Sequence, residues 1–161
     1  MSGMRMPGAA SIPAALARKG AIPAALLAAL TSPLAYQTLE RWEGNVLQVY
    51  RDNLAHGIPT FCAGRTDWSA KPGTKLTSDQ CQEVNKTTLL EYGYAVLGCV
   101  EWNYLSAKRL IGLTMFAINV GKAGACGSQA VQQINLGNLA AGCNLIARTP
   151  SGAPNWSNAG G

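Results

Sequence analysis

Residues 43–64 read EGNVLQVYRDNLAHGIPTFCAG, and within this stretch the chain changes from one kind of secondary structure to another. The segments 49–50 and 60–62 are short and rich in β-branched and aromatic side chains, which favours strands. Between them lie Asn53, Gly57 and Pro59, which are typical turn residues. The stretch therefore predicts a small antiparallel hairpin, and its two acidic residues, Glu43 and Asp52, are candidates for chemistry.

A helix is predicted immediately before the hairpin. Ser32 suits the N-cap and Pro33 the first helical position, and Gly44 marks the end. Leu34, Leu39 and Trp42 fall near one face of this helix, so Trp42 is interpreted as a core residue.

After the hairpin the chain is predicted to be mostly helical. Thr77 with Gln80 forms a possible capping box for a helix that extends to Val96. Ser106 and Ser128 are further N-cap candidates, and residues 139–148 predict a last helix. The fold class is therefore α+β, with a small β-hairpin lobe and a larger helical lobe.

Composition excludes several classes of protein. The chain has 161 residues, enough for one domain, and a net charge of +5 that suits polyanions in general. It contains no long Lys/Arg run and no interleaved aromatic–basic motif, so we expect no nucleic-acid partner. Five cysteines without a C-x-x-C pair, beside a single histidine, argue against a metal site, and no cofactor is expected. Up to two disulfides are plausible.

Residues 1–31 are predicted to be a leader and residues 32–161 the functional domain. Residues 1–20 lack periodicity and are expected to be mobile. Arg18 and Lys19 precede an apolar run over residues 21–30, which resembles a weak signal or anchor segment. The alternative is an ordinary N-terminal helix.

Glu43 and Asp52 suggest paired acid–base chemistry. Glu43 lies at a helix end beside Trp42, where shielding from water would raise its pKa. Asp52 lies in a wetter strand–turn region and would stay ionised. Cleavage of a glycosidic bond needs such a protonated and ionised pair. The hydroxyl of Thr60 could hold the attacking water.

The motifs in this region resemble those of phage-type lysozymes (endolysins) of glycoside hydrolase family 24. The resemblance rests on Glu43-Gly44, on Tyr50-Arg51-Asp52, and on Gly57-x-x-Thr60-x-x-x-Gly64. Phe116-x-x-Asn119-x-Gly121 and the segment 77–84 add to it, so that it extends over residues 34–148. Three features depart from the family pattern. The hairpin between Asp52 and Thr60 is longer than in the family, which bears on the alignment of Thr60. Arg65 replaces a histidine, and the basic helix that usually closes the larger lobe is expected to be missing from the C-terminus.

The resemblance implies a function and its site residues. Glu43 would be the general acid, Asp52 the general base or transition-state stabiliser, and Thr60 the residue that orients water, in a cleft between the two lobes. Asn119 and Tyr50 are weaker candidates for sugar contacts; the alternatives are a helix cap for Asn119 and hairpin packing for Tyr50.

The implied reaction is hydrolysis of the β-1,4 bond between N-acetylmuramic acid and N-acetylglucosamine in peptidoglycan, for host cell lysis. The expected protein is a monomer. It stays in the host cytoplasm until lysis or is exported to the periplasm, with transient inner-membrane association through residues 21–30. Two alternatives stay open, a catalytically impaired peptidoglycan-binding relative and a lytic transglycosylase.

Overall fold

The computed structural model describes residues 16, 19–148 and 151. These residues form two compact units, the first comprising residues 31–90 and the second comprising residues 16, 19–30, 91–148 and 151. The elements, in chain order, are α1 (Ala24–Leu30), α2 (Pro33–Glu43), β1 (Val46–Asp52), β2 (Ile58–Cys62), β3 (Arg65–Thr66), α3 (Ser78–Cys99), α4 (Ala107–Val120), α5 (Lys122–Cys126), α6 (Gln129–Asn135) and α7 (Leu139–Ala147). The α+β fold class is confirmed.

Helix α2 begins and ends where the sequence predicts. The Ser32 side chain accepts a hydrogen bond from Ala35 N–H, and Pro33 is the first helical residue. Gly44 terminates the helix with a φ of 75°, a left-handed conformation that glycine adopts without steric cost. The interpretation of Trp42 as a core residue is wrong, because its side chain is 75% exposed. Burial on this helix stops at Leu39, so the last turn extends its indole into solvent.

The first unit contains a three-stranded antiparallel sheet of order β1-β2-β3. The predicted hairpin is confirmed, with Tyr50 opposite Thr60 and Asp52 opposite Ile58. Strand β3 was not predicted, because two residues are too few for a periodic signal. A hydrophobic core lies beneath the sheet and includes Val49, Phe61, Cys62, Ala70, Leu76, Cys81 and Val84.

Helix α3 starts at the predicted capping box. Thr77 N–H donates to Gln80 Oε1 at 2.8 Å, and Gln80 N–H donates back to Thr77 Oγ1 at 3.2 Å. Each bond satisfies a backbone donor that the first turn of the helix leaves unpaired.

The second unit is helical. Ser106 and Ser128 cap α4 and α6 as predicted, and the buried face of α4 includes Leu110, Leu113 and Phe116. Helix α5 was not predicted, because it begins directly after Gly121, which the sequence indicated as a helix stop. Two disulfides join Cys62 to Cys81 and Cys99 to Cys126, while Cys143 is free and exposed.

The apolar run of residues 21–30 contains α1, which packs against α4. Leu26 and Leu30 are buried, and Leu16 is fully buried. The ammonium group of Lys19 donates to Leu97 O at 3.2 Å and to Val100 O at 2.9 Å, at the end of α3. Within the described ranges, no helix combines the length and hydrophobicity that crossing a bilayer requires. Export or membrane association through this run stays a prediction. The expected mobility of residues 1–20 and the expected lack of a closing helix fall mostly outside the described residues.

Leu30 occupies a space that Gly93 leaves open on α3. A Cβ on Gly93 would lie 2.4 Å from Leu30 Cδ2, far inside contact distance. We expect Gly93→Ala to lower the free energy of unfolding by about 1–3 kcal/mol through overpacking.

Gly98 provides the matched control for this prediction, because nothing lies within 4 Å of a Cβ built there. Gly98→Ala should stabilise α3 by about 0.5–1 kcal/mol through helix propensity alone. Urea unfolding of both variants measures the difference. Equal effects would contradict the close packing of Leu30 on Gly93.

Candidate active site

Glu43 is the last residue of α2, and its carboxyl group approaches the turn between β2 and β3. A Cβ built on Gly64 in that turn would lie 3.4 Å from Glu43 Oε2. Gly64 has a φ of 71°, so glycine both permits the turn and lets the backbone approach the carboxyl group. Partial burial raises the pKa of Glu43 above the ordinary carboxyl value. A carboxyl group with this shift keeps its proton to higher pH and is suited to proton donation.

The exposed Trp42 does not supply the shielding that the sequence suggested for Glu43. Glu43 is itself exposed, and the neighbour that the structure shows for its carboxyl group is the β2–β3 turn, where a Cβ built on Gly64 would lie 3.4 Å from Glu43 Oε2.

Asp52 ends β1 and is held by the turn that follows. Its Oδ1 accepts hydrogen bonds from Leu54 N–H at 2.9 Å and Ala55 N–H at 3.3 Å, capping the short 3-10 turn Asn53–Ala55. One carboxyl oxygen is therefore fixed by the backbone, and this fixes the orientation of the group. His56 lies at the tip of the same turn with a φ of 57° and is exposed.

The strand register brings three of the predicted site residues to one face of the sheet. Tyr50 lies opposite Thr60, and Asp52 lies opposite Ile58. Because opposite residues and residues two apart along a strand share a face, Tyr50, Asp52 and Thr60 lie on the same side. Val49 and Phe61 alternate with them and point to the core.

Thr60 is almost fully buried, with 3% of its surface exposed. Its hydroxyl donates to Ile58 O at 3.1 Å, which leaves the oxygen lone pairs to accept a hydrogen bond. Along β2, Thr60 lies between Ile58, which pairs with Asp52, and the turn that contacts Glu43. Tyr50 on the neighbouring strand is 41% exposed, more than close hairpin packing would leave.

Asn119 belongs to the second unit, in the last turn of α4, and its side chain is exposed. The alternative of a helix cap does not hold, because α4 continues to Val120 and Gly121 is the C-cap residue, with a φ of 84°. Sugar contact by Asn119 stays a prediction. Arg65, at the position of the family histidine, is half-buried at the start of β3.

Similar structures share this fold. A P22 lysozyme mutant has a TM-score of 0.63 and 27% sequence identity, covering 72% of this chain and 80% of that chain. The muramidase domain of SpmX from Asticaccaulis excentricus has a TM-score of 0.64 and 21% identity, covering 71% of this chain and 76% of that chain. An endolysin from the Escherichia coli O157:H7 phage FAHEc1 has a TM-score of 0.62 and 22% identity, covering 80% of this chain and 84% of that chain.

Comparison with curated protein sequences finds no significant match. The model of the phage lysozyme family, in contrast, matches residues 40–161, about three quarters of the sequence. This match includes Glu43, Asp52 and Thr60. The chain therefore belongs to the phage lysozyme family of peptidoglycan-lytic glycosidases.

Proposed function

We propose that this protein hydrolyses the β-1,4 bond between N-acetylmuramic acid and N-acetylglucosamine in bacterial peptidoglycan, and that it serves host cell lysis. One observation carries the proposal: the carboxyl group of Glu43 lies close to the Gly64 turn, and its pKa is raised by partial burial. Such a group can protonate the glycosidic oxygen as the bond breaks.

Asp52 is proposed as the ionised partner. Its carboxylate is oriented by two backbone N–H groups and lies on the same sheet face as Thr60. From there it can stabilise the positive charge that develops on the sugar ring or take a proton from water. The lone pairs of the Thr60 hydroxyl can accept a hydrogen bond from that water. Tyr50 and Asn119 are proposed as secondary sugar contacts.

The register favours an inverting reaction. Asp52 is level with Ile58, whereas Glu43 contacts the turn that follows Cys62 at the end of β2. The four residue steps along β2 that separate these two levels span about 13 Å. The two carboxyl groups can lie closer together than this, because both side chains extend away from the backbone. A separation above the roughly 5 Å of retaining enzymes leaves room for a water molecule between the carboxyl groups.

We expect the first product to carry the α-anomeric configuration. Proton NMR of freshly cleaved chitooligosaccharide or peptidoglycan fragments, read before mutarotation, measures this directly. An initial β-anomer would contradict the inverting arrangement and would assign Asp52 as a nucleophile.

Product analysis tests the function itself. Outer-membrane-stripped Gram-negative cells should lose turbidity when the protein is added, and the released fragments should end in reducing N-acetylmuramic acid. Anhydro-ended fragments would identify a lytic transglycosylase instead. Sedimentation with purified cell walls and no release of reducing ends would identify a binding protein without hydrolysis.

A further inference from the structure

Asn85 is a buried polar residue whose hydrogen bonds connect three separate elements of the first unit. It lies on α3 with 1% of its surface exposed. Its Oδ1 accepts from Ala63 N–H at 3.2 Å, and its Nδ2 donates to Glu40 Oε1 at 3.4 Å. By contrast, the hydroxyl of the buried Thr88 on the same helix donates to a carbonyl one turn earlier, that of Val84. A buried amide is costly unless its bonds are satisfied, and here those bonds are long-range.

The bond to Ala63 holds the same turn that contacts Glu43. The turn is unusual because Cys62 has a φ of 52°, a left-handed conformation that is rare for residues other than glycine. Cys62 is joined to Cys81 by a disulfide, and Ala63 is bound by Asn85. Cys81 and Asn85 are four residues apart on α3, so they present one face of that helix to the turn.

The bond to Glu40 connects Asn85 to α2, the helix that carries Glu43. Glu40 lies three residues before Glu43 on α2, close to one helical turn away. Its Oε1 also accepts from Asn45 Nδ2 at 3.2 Å, just after the helix ends. Asn85 therefore links the last turn of α2, which carries Glu43, to the β2–β3 turn that approaches the carboxyl group.

We propose that Asn85 is a positioning residue that holds the Gly64 turn against the proton donor Glu43. The inference rests on the proposed role of Glu43. Asn85 itself does not contact Glu43 in the bonds described, and it acts through Ala63 and Glu40. Its effect is to keep the carboxyl group partly shielded from water.

Release of this turn would let water reach Glu43 and would lower its pKa towards the ordinary value. A general acid with a lower pKa loses its proton sooner, so the rate would fall at a lower pH on the basic limb of the profile. In the first unit, the charged side chains on α2, β3 and α3 besides Glu43 are Glu40, Arg41, Arg65, Asp79, Glu83 and Lys86.

The first test is Asn85→Leu, which removes both bonds and keeps the branching of the side chain. We expect kcat to fall about tenfold with KM within about twofold, and the basic limb to move down by roughly half a pH unit or more. Carboxyl-carbon NMR titration of Glu43 should show the same shift without reference to activity. Thr88→Val is the control for loss of a buried hydrogen bond on α3, and its pH profile should match that of the wild type.

The second test compares Glu40→Gln with Glu40→Leu. Both substitutions remove the charge of Glu40, but only Gln keeps a carbonyl oxygen that can accept from Asn85. Any direct charge effect on Glu43 is therefore equal in the two variants. The Leu variant should move the basic limb and the Glu43 titration further down than the Gln variant.

A folded Asn85→Leu protein with the wild-type limb and the wild-type Glu43 titration would overturn the proposal. If Asn85→Leu does not fold, the comparison of Glu40→Gln with Glu40→Leu tests the proposal instead. Identical pH–rate profiles for these two variants would then overturn it. Failure of the proposed function is distinguishable, because in that case the wild-type protein itself would release no reducing ends, whereas the Glu43 carboxyl titration can still be compared between Asn85→Leu and the wild type.

Discussion

Glu43→Gln is expected to reduce the rate of cell-wall lysis by about 10²–10⁴-fold, the usual contribution of a positioned general acid. Glutamine has nearly the same shape as glutamic acid but cannot donate a carboxyl proton. It therefore tests the proton rather than the packing of the last turn of α2. Turbidity loss of stripped Gram-negative cells, followed by assay of released reducing ends, measures the effect.

Glu83→Gln is the matched control, because Glu83 is an exposed carboxylate on α3 and the change in net charge is the same. A cationic lysozyme binds an anionic wall partly through its overall charge, and the control removes that contribution. Equal lysis by the two variants would refute the assignment of Glu43.

The same variant should lose activity without losing stability. Burial raises the pKa of Glu43 in the folded protein, so the folded state holds this proton more tightly than the unfolded state does. Stability from this group is therefore full at pH values below the unfolded pKa and is lost as pH rises through the folded pKa. Glutamine does not ionise, so at neutral pH Glu43→Gln should unfold at an equal or higher urea concentration than the wild type.

The double substitution Cys62→Ala and Cys81→Ala is expected to lower both stability and activity. The disulfide closes a loop with a sequence separation of 19. Loss of such a cross-link costs about 3 kcal/mol in the chain-entropy description. Because Cys62 begins the turn that contacts Glu43, we also expect the basic limb of the pH–rate profile to move to lower pH.

The second disulfide is the matched control. Cys99 and Cys126 close a loop with a separation of 27 in the helical unit, so removing them should cost a similar free energy, about 3–4 kcal/mol. Their loss should leave the pH profile unchanged in protein that remains folded. Urea unfolding and pH–rate profiles of the two double variants measure both effects. An unshifted profile in the Cys62/Cys81 variant would show that the disulfide does not help to hold the turn.

Much of the fold was predictable because its signals are local. Ser32, Ser106 and Ser128 cap helices where serine is expected, and Thr77 with Gln80 forms its capping box. Turn residues between short apolar runs were enough to predict the hairpin. These features depend on neighbours within four residues, which a single sequence displays.

The parts that were missed depend on distant contacts. The spacing of Trp42 fits a buried face, yet nothing in the sequence shows that burial stops at Leu39. Asn85 lies between Val84 and Thr88 on a mostly apolar helix face, and a polar residue there was the available signal for a buried hydrogen-bonding role. Its partners are 22 and 45 residues away, so their identity could come only from the structure.

The candidate site was predictable in its residues but not in its geometry. The motifs indicated Glu43, Asp52 and Thr60, whereas the strand register was needed to place Asp52 and Thr60 on one face. The approach of the Gly64 turn to the Glu43 carboxyl group also had no sequence signal, because it depends on how a turn folds back on a helix end.

The packing of Leu30 against Gly93 affects where a shortened version of the protein can begin. A recombinant protein starting at residue 32 would lack both Leu30, which fills this space, and Lys19, which donates to carbonyl oxygens at and just beyond the end of α3. Its helical unit would expose apolar side chains of α4 to water. Purification tags and fusion partners are therefore better joined before Leu16, so that the N-terminal residues that pack in the core of this unit are retained.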